Sequence, residues 1–135
     1  MKNQYTDITY DSYIITNSAT FKELRKHYSR AECGRIMKLA SYLNDINEIV
    51  VDNIQVDSSE LNSLLGISRG TAYMFLRKLI LHSIIVVNIR CIDKKFVRTM
   101  LLNPYVAYSN ESALGMRTFF EDISKGLEPL AKKTN

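Results

Sequence analysis

The run DSSELNSLLGISRGTAYMFLRKL, residues 57–79, restricts the possible folds more than any other stretch of the chain. Asp57 and Glu60 stand in capping-box register, where the aspartate oxygen accepts an orphan amide and the glutamate reaches back to the cap. Leu61, Leu64 and Leu65 then supply a buried face, and Gly66 can take the left-handed conformation that a tight helix exit needs. Ile67 can plug the turn, and Ser68 is placed to cap a second helix. In that helix Ala72, Phe75, Leu76 and Leu79 fall on one side at spacings of three and four. Two helices, 58–65 and 69–82, joined by a glycine turn and a serine cap, form a helix-turn-helix.

The rest of the chain is ordered around that pair. Ser29 and Glu32 form a second capping box, followed by Ile36, Leu39, Ala40 and Leu43 as an apolar stripe, which predicts a helix over 30–44. Residues 49–51 are β-branched and precede Asp52-Asn53, so they read as a short strand or a sheet edge. IIVVNIR and FVRTMLL flank a polar, basic CIDKK and predict a hairpin that Asn103-Pro104 stops, because proline cannot donate to a ladder. Residues 13–16 (YIIT) read as a short strand or a pinned arm. From Ser109 a further helix is predicted, with Phe119, Phe120, Ile123 and Leu127 on one side. With 46% hydrophobic residues in 135, one core is affordable. The expected fold is mainly α with a small β-hairpin (α+β): a winged helix-turn-helix with an additional C-terminal helix. Residues 1–28 are then an N-terminal arm or short extension, 29–108 the winged-helix domain, 109–128 a C-terminal helix suited to dimerisation, and 129–135 a frayed tail.

Catalysis finds little to work with. His27 and His82 lie in no metal-ligand register, and no phosphate-cradling glycine motif is present. Asp45, Glu48, Asp52, Asp57 and Glu60 lack calcium-loop spacing. Cys33 and Cys91 are isolated and read as buried or inert thiols. No enzyme, cofactor or metal site is expected. No apolar run approaches the roughly 18 residues of a membrane span, and MKNQYTDITY has no signal-peptide pattern, which together predict a cytoplasmic protein.

Charge is sorted by segment within the net +4. Residues 39–67 carry five acidic groups and no basic one, whereas 68–110 carry seven basic groups and one acidic. Such sorting suits a chain with one face toward phosphate. On the second helix the core face leaves Ser68, Arg69, Gly70, Thr71, Tyr73, Met74, Arg77 and Lys78 outward. Ser68, Arg69 and Thr71 suit phosphate oxygens beside the helix N-terminus, or Arg69 a guanine edge. Tyr73 and Met74 suit thymine methyls or a sugar edge, and Arg77 and Lys78 the backbone. Arg90, Lys94, Lys95 and Arg98 on the hairpin are candidates for phosphate or minor groove. Ile80, Leu81, Phe119, Phe120 and Ile123 form a candidate seam for a homodimer or another partner. The expected function is sequence-specific binding of double-stranded DNA; the alternative is an adaptor that uses the same apolar residues to bind a protein. No small-molecule effector is legible.

SELNSLLGISRGTAYMFLRKLILHSIIVVN resembles the DNA-binding region of bacterial winged-helix regulators. FVRTMLLNPYVAYSN resembles the junction after the wing in Firmicute plasmid replication proteins of the RepL type, where an asparagine-proline pair follows the second wing strand. The likeness covers about residues 30–110. It implies transcription control or replication initiation of a plasmid or phage. Ser83 stands where that family usually has glycine, and Ile80-Leu81 replaces a usual charged pair.

Overall fold

Local capping chemistry sets the helix starts in the computed structural model, which describes residues 14–116 and Phe120. Helix α1 (Ser18–Leu24) is capped by Asn17, whose side chain accepts from Ala19 and Thr20. Helix α2 (Arg30–Ala40) begins with the full capping box: the Glu32 amide donates to Ser29 Oγ at 3.1 Å and the Ser29 amide to Glu32 Oε1 at 2.8 Å. Asp57 and Glu60 repeat the device on a 3-10 turn, Ser58–Glu60, that leads into α3 (Leu61–Leu65). Gly66 follows at φ 67°, and Ser68 accepts from the Thr71 amide to open α4 (Arg69–Leu81).

A Cβ built on Gly66 meets nothing within 4 Å, so only the backbone conformation restricts this position. Gly66→Ala is therefore expected to cost about 1–2 kcal/mol, and Gly66→Asn less, because asparagine tolerates the left-handed region. Chemical denaturation of the two variants checks this order.

Helix α2 ends at Ala40, earlier than the apolar stripe through Leu43 suggests. Asn44 is the reason: its Oδ1 accepts the amides of Ile46 (3.1 Å) and Glu48 (2.8 Å), offering the chain a turn in place of helix. Asn47, at φ 64°, completes the reversal. The chain then enters a small hairpin, β2 (Val50–Val51) with β3 (Ile54–Gln55), across Asp52 and Asn53, both left-handed.

Two long strands, β4 (Ile85–Ile92) and β5 (Lys95–Leu102), pair in register around a two-residue turn at Asp93 and Lys94, with φ 51° and 67°. Paired positive φ values match the twist of the strands, as a two-residue hairpin requires. Strand β1 (Ile15–Thr16) pairs with β6 (Ala107–Tyr108), bringing the two flanks of the described chain together. A final 3-10 segment covers Glu111–Met116.

The expected mainly α fold is corrected by these strands. Among the described residues four helices accompany six strands in three two-stranded antiparallel sheets, 43% helix against 26% strand, which makes a small α+β fold. Of the two short apolar runs that lacked visible partners in the sequence, Val50–Val51 pairs through a hairpin and Ile15–Thr16 through a long-range pairing. The expected N-terminal arm is also revised: Leu24 and Tyr28 are buried in the same core as Ile36, Leu61, Phe75, Leu79, Ile85 and Met100. Most of the expected C-terminal helix, and all of the expected tail, lie outside the described residues.

Buried amides pin the base of the long hairpin. Asn103 donates from Nδ2 to the Ser83 carbonyl at 3.0 Å and accepts the Tyr105 amide at 2.9 Å. Ser83 sits at φ 58°, the conformation for which glycine is the easy choice. No helix among the described residues is long and apolar enough to cross a membrane.

Candidate nucleic-acid interface

Helix α4 has one face in the core and the other in solvent. Ala72, Phe75 and Leu79 are buried, while Tyr73 (60%), Met74 (64%) and Leu81 (75%) are exposed, with Ile80 less so. Arg69, Gly70, Thr71 and Arg77 are exposed as well. The Arg77 guanidinium stacks over the Tyr73 ring at 5.7 Å, presenting a cation and an aromatic plane as one unit. Ser68 Oγ donates to Thr71 Oγ1 at 2.8 Å besides accepting the Thr71 amide, so these two hydroxyls are partly occupied by each other. A Cβ on Gly70 would meet open space.

Lys78 does not join that outward set. Its Nζ donates to the His27 carbonyl at 2.9 Å and to the Glu32 carboxylate at 3.2 and 3.4 Å, and it lies 4.2 Å from the centre of the Tyr28 ring. Partial burial pushes the Glu32 carboxyl up, but the Ser29 amide and the Lys78 ammonium outweigh it and hold the carboxyl below its ordinary value. The Tyr28 hydroxyl, 2.6 Å from His82 Nδ1, is pushed well above its ordinary value by burial and by Glu32. Lys78 thus ties α2 to α4 rather than serving as a free phosphate clamp.

Two of the four expected hairpin cations are likewise engaged. Arg90 lies within β4, opposite Val97, not in the turn. Its guanidinium pairs with Glu48, which is 1% exposed and also accepts from Asn44 at 3.2 Å and Gln55 at 3.3 Å. Burial raises the Glu48 carboxyl, yet these donors more than offset it and leave it below its ordinary value. Arg98 donates its amide to Asp57 Oδ2 at 2.9 Å and its guanidinium to Oδ1 at 3.2 Å, but stays 54% exposed. Lys94 and Lys95 are exposed at the hairpin tip.

Asp57 therefore caps α3's leading turn and clips the hairpin to it. Burial alone would raise its carboxyl; the amides of Arg98 and Ser59 bring it down to about 2 from 3.8. Because the folded value is depressed, the stabilisation is complete above about pH 5 and is lost as pH falls through 4 toward 2. Asp57→Asn is expected to be less stable at neutral pH and to show a flatter stability profile between pH 5 and 2, measured by denaturant titration at fixed pH values.

The fold gathers Arg69, Tyr73 and Arg98 around one shallow depression whose floor includes Ser58, Ser59 and Asn62. A second groove runs along the other side of α4 between Arg35, Thr71, Met74, Arg77 and Leu81. Sequence reasoning missed Ser58, Ser59, Asn62 and Arg35. The first three are hydrogen-bonding side chains just ahead of Gly66, and Arg35 stands one position before Ile36 of the core stripe, with its guanidinium 5.8 Å from the centre of the Phe75 ring. Phe120 is fully buried and leaves the expected partner seam, while Phe119 and Ile123 lie outside the described residues. Cys91 is exposed on β4 rather than buried, and the half-buried Cys33 thiol is raised by burial and by Glu32.

No protein-family model, no curated protein and no solved structure matches this chain. The fold is a small α+β domain in which α3 and α4, joined across Gly66, and the long β4–β5 hairpin carry exposed cations and aromatic rings.

Proposed function

We propose that the protein binds double-stranded DNA sequence-specifically, with α4 in the major groove and the β4–β5 hairpin on the adjoining backbone. One observation carries this: from Leu61 to Ile92 no acidic residue occurs, and within that span Arg69, Tyr73, Met74 and Arg77 share the solvent side of α4. An α-helix with side chains is about 10–12 Å across and matches the roughly 12 Å width of the major groove. Arg69 is placed for a guanine edge or a phosphate, Arg77 for the backbone, and Tyr73 and Met74 for apolar contact with thymine methyls. Ser58, Ser59 and Asn62 add donors beside Arg69 and Arg98. Its role is transcription regulation or replication initiation of a plasmid or phage, in the cytoplasm.

A homodimer is part of the proposal, joined through Ile80 and Leu81 at the exposed end of α4, so that two helices read two half-sites. The test is selection of duplex fragments from a random library on the full chain. Enrichment of one motif with two half-sites is expected; recovery without sequence preference would contradict specific recognition.

The exposure of Ile80 (44%) and Leu81 (75%) also favours a second reading, an adaptor that grips a protein through this patch. Reversing charge at Lys94 and Lys95 discriminates: DNA retention is lost under the first function, and partner capture is unaffected under the second.

A further inference from the structure

Residues directly opposite in an antiparallel ladder share a face, so the β4–β5 register sorts the hairpin's side chains. Ile85 with Leu102 and Val87 with Met100 lie on one face, and Ile89 with Arg98 and Cys91 with Phe96 continue that face outward. At the root it is core: Ile85, Met100 and Leu102 are buried. Beyond Arg98 the same face leaves the body, with Ile89 67% and Phe96 80% exposed. Phe96 is the most exposed large hydrophobic side chain among the described residues.

Its neighbours narrow what can cover it. Lys94 and Lys95, both exposed, precede it directly, while the tip's single carboxylate, Asp93, sits in the turn. A phenyl ring framed by cations complements a polyanion better than an apolar protein groove. The minor groove, about 6 Å wide, admits one ring. Phe96 stands two residues beyond Arg98 along β5, about 7 Å further out along the hairpin at about 3.4 Å per residue.

We propose that Phe96 is a wedge that enters the minor groove flanking the α4 site and partly unstacks one base step, with Lys94 and Lys95 on the adjoining phosphates. Apolar side chains at a groove floor act this way, and pyrimidine–purine steps yield to it most readily. The role presupposes the DNA-binding function proposed above. It adds a preference for TA or CA at a flanking position that no hydrogen bond reads.

The experiment uses the full chain and a duplex recovered by the selection, with 2-aminopurine placed at the flanking steps. Binding of the unaltered protein is expected to raise the probe's fluorescence as the step unstacks. Phe96→Ala is expected to bind about tenfold more weakly and to abolish the rise, and Phe96→Leu to restore part of it. Denaturation curves of the variants should stay close to that of the parent, because the ring is exposed. Lys94→Ala with Lys95→Ala should lower the salt slope by about 2, whereas Phe96→Ala leaves it unchanged. Binding without a fluorescence change, or Phe96→Ala matching the parent in both readouts, would overturn the wedge while leaving DNA binding intact. Absence of any duplex binding overturns both. A shift of Phe96→Ala in sedimentation, with DNA behaviour unaltered, also overturns it and assigns the face to a second copy.

Discussion

Replacing Arg69 and Arg77 together by alanine is expected to weaken binding to a selected duplex by about 2–4 kcal/mol, roughly 30- to 1,000-fold. Both side chains lie on the solvent side of α4, one beside Ser58, Ser59 and Arg98, the other stacked on Tyr73. Both are exposed, so stability should change by no more than about 0.5 kcal/mol. The singles should differ in kind. Loss at Arg77 should be uniform across sequences and lower the salt slope by about 1, as for a phosphate contact. Loss at Arg69 should be concentrated on one base position if it meets a guanine edge. Gel-shift titrations on the selected duplex and on single-position variants read both. Parent-like affinity in the double variant would remove α4 from the interface.

Arg90→Ala has the largest expected effect on stability, about 2–3 kcal/mol. Glu48 is buried, and without the guanidinium its carboxylate keeps only the Asn44 and Gln55 amides. Removing one partner of a fully buried ion pair costs about 3–5 kcal/mol; the half-exposed Arg90 side chain lets water soften that figure. The pH dependence should change sign. In the parent, the depressed Glu48 carboxyl contributes stability that is complete above the ordinary carboxylate range and is lost as pH falls through its folded value. In Arg90→Ala burial dominates, the folded value rises above the unfolded one, and lowering the pH from 7 to 5 should restore stability. Adding Glu48→Gln should recover part of the loss at pH 7, since a neutral amide needs no counter-charge. Denaturant unfolding at both pH values measures each step.

The devices that the sequence disclosed are those whose partners are three or four residues away. The boxes at Ser29–Glu32 and Asp57–Glu60, the Gly66 exit and the Ser68 cap form from local backbone chemistry, and all are present. The ion pairs were hidden for the opposite reason: Lys78, Arg90 and Arg98 find carboxylates more than forty positions away. A count of cations cannot tell a tether from a free charge, so three expected phosphate contacts proved to be structural ties. Strand content was underread because β3 and β6, the partners of the two short strands read in the sequence, are two residues each, too short for alternation to show. Phe96 was seen as a strand residue, but its face was not legible: at the hairpin root Met100 and Leu101, on opposite faces, are both buried, which erases the polar–apolar alternation. Phe120 looked like part of an apolar seam because helical spacing does not show which side of a helix meets the body.

The most direct measurement is the affinity of the full chain for its selected duplex, followed by fluorescence anisotropy as salt rises from about 50 to about 200 mM. Arg69, Arg77, Lys94 and Lys95 as phosphate contacts predict a log–log slope of about −3 to −4 per chain, a loss of about a hundredfold over that range. Absence of binding at the lowest salt, or an affinity indifferent to salt, would contradict DNA recognition by this face.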